Sequence, residues 1–165
     1  MKGAVNKLDV RTVLNSLKEG KISVEEAEKH LKFKPFEDLG YAVIDHQRAL
    51  RNGCPEVIYC AGKTIEQIKG IVENMLRAGT KNILGTRATE EMYLGVKEIC
   101  PDAVYHKDAR IILIEREPVE KTGGKILVAT GGTSDIPVAE EAALTAEYLG
   151  NNVERVYDVG VAGLH

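Results

Sequence analysis

A glycine-rich turn that carries hydroxyl and carboxylate side chains is the stretch of this sequence best suited to chemistry. Gly131 and Gly132 end a short apolar run, and Thr133, Ser134 and Asp135 follow them directly. Backbone N–H groups and hydroxyl donors at the positive end of a helix favour phosphate or carboxylate. The turn therefore predicts an anion site, with Ser134 as the donor that contacts the ligand. The alternative is that Ser134 and Asp135 only cap the helix.

The elements around this turn are those of a β-α-β unit. Residues 125–130 form an apolar, β-branched run, which predicts a parallel strand covered on both faces. A helix is predicted to begin near residues 135–137, with Pro137 in its first turn, alanines at spacings of three and four, and a stop at Gly150. A second strand is predicted over residues 153–159. The G-x-G-x-x-G fingerprint is missing, so hydride transfer from a dinucleotide ranks low.

Charged residues further upstream stand at predicted strand ends and turns, where substrate contacts are common. They are Asp45, Arg48, Arg51, Glu56, Lys63 and Arg87. Arginine can grip phosphate or carboxylate through two parallel hydrogen bonds, so the three arginines are the stronger candidates for anion contacts. The alternative for each residue is a solvated surface network. A P-loop that ends at Lys63 is rejected, because Val57 stands where the motif needs its first glycine.

Cysteine, histidine and charge content exclude several classes of protein. The three cysteines, Cys54, Cys60 and Cys100, lack C-x-x-C spacing and are expected to be reduced thiols, and the four histidines are too scattered for a metal site. A net charge of −3 without a basic run argues against a nucleic-acid partner. Neither a long apolar stretch nor a leader segment is present, so we expect no membrane association and a cytoplasmic location.

The pattern of elements predicts an α/β protein with three parts. Residues 1–34 read as a helical hairpin in which Asp9 caps the first helix, a Ser23–Glu26 capping box opens the second, and an apolar seam serves for docking. Residues 35–118 read as a small α/β domain, with strands at 41–44, 56–60, 82–86, 103–106 and 110–115 and helices over 64–79 and 89–99. Residues 124–165 form the β-α-β unit.

Two long motifs of this sequence resemble those of a known protein family. The segment ATGGTSDIPVAEEAALTAEYLGNNVERVYDVGVAGLH, with VIDHQRALRNGCPEVIYCAGKT upstream, resembles the LarB family, which begins the synthesis of the nickel-pincer cofactor. The turn from Gly131 to Asp135 also looks like the G-S-x-S-D phosphate turn of carboxyaminoimidazole ribonucleotide mutase (PurE), and GVAGLH, which ends in His165, stands where that family has its S-A-H-R motif. The resemblance begins near Phe36. It implies that residues 124–165 are the first β-α-β of a flavodoxin-like, PurE-like parallel sheet.

The resemblance also implies an activity. Proteins like LarB carboxylate the pyridinium ring of nicotinic acid adenine dinucleotide and hydrolyse its phosphoanhydride, which gives a pyridinium dicarboxylate mononucleotide and AMP. Carbon dioxide or bicarbonate as co-substrate, Mg²⁺, no tightly bound cofactor and a homo-oligomer of the full-length protein are implied with it. The family's nucleophile is a cysteine beyond the equivalent of His165, so we expect a truncated chain that is inactive alone. Two alternatives stay open: a mutase-like enzyme in which His165 shuttles a proton, and a non-catalytic nucleotide-binding or interaction module.

Overall fold

The N-terminal part of the protein is a helical hairpin. The computed structural model describes residues 10–31, 36–45, 48 and 56–160. Helices α1 (Val10–Lys18) and α2 (Val24–Leu31) pack on each other through the buried side chains of Val13 and Ala27. The predicted capping box is confirmed, since Ser23 N donates to Glu26 at 2.9 Å and Glu26 N donates back to the Ser23 hydroxyl at 3.1 Å. The predicted cap at residue 9 and the linker at 32–35 lie outside the described residues.

A short antiparallel hairpin follows, formed by β1 (Phe36–Asp38) and β2 (Val43–Asp45). Its turn is closed by a hydrogen bond from Leu39 N to Ala42 O at 2.8 Å, and Gly40 adopts a φ of +81° that glycine tolerates. The sequence analysis predicted a strand over 41–44, which lies within two residues of β2, and it missed β1 at 36–38. A strand of three residues is too short to show the alternation on which the prediction depended.

The centre of the molecule is a four-stranded mixed sheet. Its strands are β3 (Val57–Tyr59), β4 (Ile83–Thr86), β5 (Val104–His106) and β6 (Ile111–Ile114). Their spatial order is β3-β4-β6-β5, with β3 and β4 parallel and the other neighbours antiparallel. Helices α3 (Ile65–Arg77) and α4 (Glu90–Ile99) share one apolar core with the sheet. The described elements lie within one to two residues of those predicted for this stretch.

Local sequence explains where α3 begins and ends. Thr64 and Gln67 form the predicted capping box, with Gln67 N donating to the Thr64 hydroxyl at 3.2 Å and Thr64 N to the Gln67 side chain at 3.0 Å. The buried side chains of Ile68, Val72 and Met75 recur at helical spacing and face the sheet.

The C-terminal unit is the predicted β-α-β. It consists of β7 (Lys125–Ala129), a 3₁₀ turn over Thr133–Asp135, α5 (Ile136–Tyr148) and β8 (Asn152–Val156), and the two strands are parallel. The prediction that the first strand is covered on both faces is wrong, since Leu127 is 62% exposed. Helix α5 covers one face of the pair only. Strand β8 also ends earlier than predicted, and Asp158 beyond it has a φ of +59°, which is incompatible with strand geometry.

Helix α5 joins the two sheets. Its Leu144 and Tyr148 pack on the face of the four-stranded sheet opposite α3 and α4, against a core that contains Leu84, Ile111 and Leu113. The fold is α/β, as predicted. It has parallel strands, a crossover helix and a central sheet that is covered by helices on both faces. The division into three parts stays a prediction. Helix α5 belongs to the third predicted part, residues 124–165, and packs against the second, residues 35–118.

Candidate functional site

The carboxyl ends of β3 and β4 lie at one edge of the central sheet, because the two strands are parallel. We call this the strand-end edge. Lys63 follows β3 and Arg87 follows β4, and a hydrogen bond from Cys60 N to Thr86 O at 2.9 Å holds the two exits together. The Lys63 amine donates to the carbonyl of Tyr59 at 2.7 Å, so it stays beside the strand it follows. Two of the cations predicted to contact substrate are therefore brought to the same edge.

Two contacts fix the direction of α5 against β4. At the C-terminal end of the helix, the Tyr148 hydroxyl donates to Asn82 O at 2.9 Å, just before β4 begins. Towards the middle of the helix, a carboxylate oxygen of Glu141 lies 2.5 Å from Nε of Arg87, which directly follows β4. The helix therefore runs antiparallel to β4, and its N-terminus lies at the strand-end edge. Asp135 precedes Glu141 by six residues, or about 9 Å of helix, which places the Gly131–Asp135 turn on the side of Arg87.

The segment after β8 closes one side of this turn. Val159 N donates to Thr130 O at 3.0 Å, and Asp158 N donates to the Thr130 hydroxyl at 3.3 Å. Gly160 lies directly against the backbone of Gly131, where a Cβ on Gly160 would overlap the Gly131 carbonyl oxygen. The buried Thr130 and these backbone contacts fix the entry to the turn, while Ser134 at its tip is exposed.

Asp135 caps a different group from the one predicted. Its carboxylate accepts a hydrogen bond from Gly132 N at 3.2 Å, which closes the 3₁₀ turn, and it makes no side-chain cap to the N–H groups of α5. The prediction that the polar cluster caps the helix is therefore wrong for Asp135. The carboxylate points back to Gly132 because residues 133–135 form a 3₁₀ turn before the helix begins. Pro137 does occupy the first turn of α5, as predicted.

The three glutamates of α5 are paired with arginines. Residues 131–165 contain six acidic residues and a single basic one, Arg155. Arg155 hydrogen-bonds Glu147 through two nitrogens, at 2.7 and 2.9 Å, and its Nε reaches Glu140 at 3.1 Å. These hydrogen bonds lower the pKa of Glu147 and keep it ionised and paired. With Glu141 paired to Arg87 as well, the negative charge of α5 is less of an obstacle to an anion at the turn.

The remaining upstream charges lie elsewhere. Arg48 NH1 is 3.6 Å from Glu56, which stands at the amino end of β3, opposite the end that Lys63 follows. Asp45 ends β2. The structure thus separates Arg48 and Glu56 from the strand-end edge, although both ends of β3 border the same groove. Arg51 and His165 lie outside the described residues.

The strand-end edge also contains a residue that the sequence analysis missed. Arg110 directly precedes β6, which runs antiparallel to β4, so it lies beside Arg87. Both arginines have a φ of +54°, a strained conformation for a residue other than glycine. Buried Ala88 holds them there, because its N–H donates to Arg110 O at 2.8 Å and its carbonyl accepts the Tyr105 hydroxyl at 3.1 Å. The position of Arg110 at a strand start was visible in the sequence, but the pairing of β4 with β6 was not.

Neither described cysteine is suited to act as a nucleophile. Burial raises the pKa of Cys60 to about 11, against a smaller opposing effect of Lys63. Burial also raises the pKa of Cys100, and its neighbour Asp102 raises it further. Because the thiolate is the reactive form, both are inert structural thiols. Within the described ranges, no group of histidine, cysteine and carboxylate side chains is arranged to hold a metal ion.

The fold and the edge define an α/β protein in which two basic residues follow neighbouring parallel strands and a polar, glycine-rich turn lies on the same side. Residues 36–117 match the LarB/PurE-like N-terminal domain. The chain belongs to the LarB/PurE-like family. It is also similar to an uncharacterized protein of Methanocaldococcus jannaschii, with 36% identity over 165 residues that cover 95% of this chain and 64% of the relative. The chain therefore spans about two thirds of the length of that curated relative.

No helix in the described parts of the chain has the length and apolar character needed to cross a membrane.

Proposed function

We propose that the full-length protein carboxylates the pyridinium ring of nicotinic acid adenine dinucleotide and hydrolyses its phosphoanhydride, with bicarbonate or carbon dioxide as co-substrate. One observation supports this proposal above others: Lys63 and Arg87 lie at the strand-end edge, and α5 carries the Gly131–Asp135 turn on the side of Arg87. Ligands of open α/β sheets bind outside the carboxyl ends of the strands. The substrate carries two phosphates and a ring carboxylate, so it needs several anion contacts in one place.

Each group at the edge has a distinct part in this proposal. Ser134, exposed at the tip of the turn, donates to one phosphate or to the ring carboxylate together with backbone N–H groups at the start of α5. Arg87 and Lys63 contact a further anionic group, the arginine through two parallel hydrogen bonds. Arg87 exchanges its ion pair with Glu141 for the ligand when the ligand arrives. Asp135 repels anions, so we assign it to a ribose hydroxyl or to a proton.

The carboxylation step needs a nucleophile that the described residues do not supply. A pyridinium ring is electron-poor and cannot attack carbon dioxide, so a thiolate first adds to it and makes an enamine-like carbon nucleophile. After the new C–C bond forms, loss of the ring proton and expulsion of the thiolate restore aromaticity. Cys60 and Cys100 are excluded from this role by their raised pKa values. The homo-oligomer and Mg²⁺ that the family resemblance implies stay predictions, and so does the cytoplasmic location expected from the apolar pattern of the sequence.

A turnover assay with the full-length protein tests the proposal. Nicotinic acid adenine dinucleotide, ¹³C-bicarbonate and Mg²⁺ are incubated with the protein, and products are separated by liquid chromatography with mass detection. We expect AMP and a dicarboxylated mononucleotide that carries the label, in equal amounts. If the dinucleotide binds measurably but is not converted, the protein is a non-catalytic nucleotide-binding module. Conversion of carboxyaminoimidazole ribonucleotide instead would establish the mutase-like alternative.

A further inference from the structure

A groove outside the strand-end edge runs along the open side of β3. Among the described strands, β3 pairs with β4 alone, and β2 lies across the groove from the other side of β3. The groove holds about 350 Å³, in the range of small-molecule sites, and buried Ile44 and Ile58 line it. Tyr41 and Tyr59 line it too, and they are 49% and 59% exposed. An apolar slot with two exposed tyrosines in its lining suits a flat, aromatic ligand.

Backbone groups of β3 give this slot polarity. Cys60 N donates to Thr86 O, which shows that Cys60 directs its backbone groups towards β4. Because this direction alternates along a strand, Ile58 also bonds to β4. Val57 and Tyr59 direct their N–H and C=O groups away from it. The hydrogen bond from Lys63 to the Tyr59 carbonyl confirms this direction. The carbonyl of Val57 and the N–H of Tyr59 therefore face the groove, two residues apart on the same side of the strand. They offer an acceptor next to a donor.

This pair of backbone groups selects among the flat ligands. The Watson–Crick edge of adenine presents an exocyclic amine donor beside the N1 acceptor, which complements a carbonyl and an N–H on one strand edge. Hypoxanthine presents the reverse, an oxygen acceptor beside an N1–H donor, and cannot make both bonds. Stacking of the ring on an exposed tyrosine supplies most of the affinity, as it does where proteins read single bases.

We propose that the groove between β2 and β3 is an adenine site, with Tyr59 as the stacking platform and the edge of β3 as the reader of the base. Lys63 lies at the mouth of the groove and also at the strand-end edge, so a nucleotide in the groove directs its phosphate towards that lysine. The inference rests on the proposed function in one respect: the adenosine half of the dinucleotide is the group that occupies the site. It adds a base-specific site to the anion contacts already assigned.

Equilibrium titrations of the full-length protein with AMP and IMP test this site. We expect AMP to bind at least about tenfold more tightly than IMP. Tyr59→Val keeps the preference for a strand but removes the ring, and it should weaken AMP binding about 5- to 150-fold. Tyr59→Phe keeps the ring and should bind AMP within about twofold of the wild type. Far-UV circular dichroism and thermal unfolding establish that both variants are folded.

The outcomes separate this inference from the proposed function. Equal affinities for AMP and IMP, or wild-type AMP affinity in folded Tyr59→Val, would overturn the adenine site even if carboxylation and AMP release are observed. If AMP is selected over IMP through Tyr59 but the dinucleotide is not turned over, the adenine site stands and the carboxylase assignment fails.

Discussion

Replacement of Gly160 by alanine is expected to lower the free energy of unfolding by about 1–3 kcal/mol and to weaken nucleotide binding by about tenfold or more through the loss of contacts at the turn. The added Cβ would overlap the carbonyl oxygen of Gly131, a backbone atom that no side-chain rotation can move away. Relief requires that either the turn or the segment after β8 shifts. Because Ser134 and the start of α5 are aligned by this turn, the shift also misplaces the donors that face the ligand. Chemical denaturation and nucleotide titration measure the two effects.

The matched control for this variant is Gly123→Ala. Gly123 has no atom within 4 Å of the position of an added Cβ, and its φ is not in the left-handed region. The same substitution there should change the free energy of unfolding by less than about 1 kcal/mol and leave binding unchanged. If Gly160→Ala matched this control in both measurements, the close approach of the β8 exit to the turn would be contradicted.

Leu84→Ala is expected to destabilise the protein by about 2–5 kcal/mol. Leu84 is fully buried on the face of the central sheet that α5 covers, so the substitution leaves a cavity between the sheet and the helix. The packing of α5 on this face is what places the Gly131–Asp135 turn at the strand-end edge. Denaturant unfolding followed by circular dichroism gives the change in free energy.

Leu94→Ala serves as the control for the cavity. Leu94 lies on α4 and is 56% exposed, so its truncation removes little buried surface and should cost under about 1 kcal/mol. Equal losses for the two variants would mean that α5 does not pack on the central sheet as described.

Features that depend on a few adjacent residues were predicted well from the sequence. The capping boxes at Ser23 and Thr64 locate the starts of α2 and α3 because both partners lie within one turn of helix. Glycines that follow a helix, such as Gly79 with its φ of +87°, locate the ends in the same way. The turn at Gly131 was found because strand, glycines and helix follow each other directly. Its anion-binding role stays a prediction.

Features that depend on distant residues were not predictable from one sequence. The position of Arg87 beside α5 depends on its contact with Glu141 and on the hydrogen bond between Tyr148 and Asn82, 66 residues apart. Arg110 was missed for the same reason, since the pairing of β4 with β6 brings it to the edge. The exposure of β7 was mispredicted because an apolar strand does not reveal how many of its faces are covered. Tertiary packing decides each of these points.

The most direct test of an anion site at the strand-end edge is a binding titration of nicotinic acid adenine dinucleotide with the full-length protein and its Ser134→Ala variant. Loss of one hydrogen bond to a charged group costs about 1.5–3 kcal/mol, so the dissociation constant should rise about 10- to 150-fold. Ser16→Ala, the same change on α1, should bind within about twofold of the wild type. A dissociation constant that is the same for Ser134→Ala as for the wild type would contradict the account and leave the anion contacts to Lys63, Arg87 and Arg110.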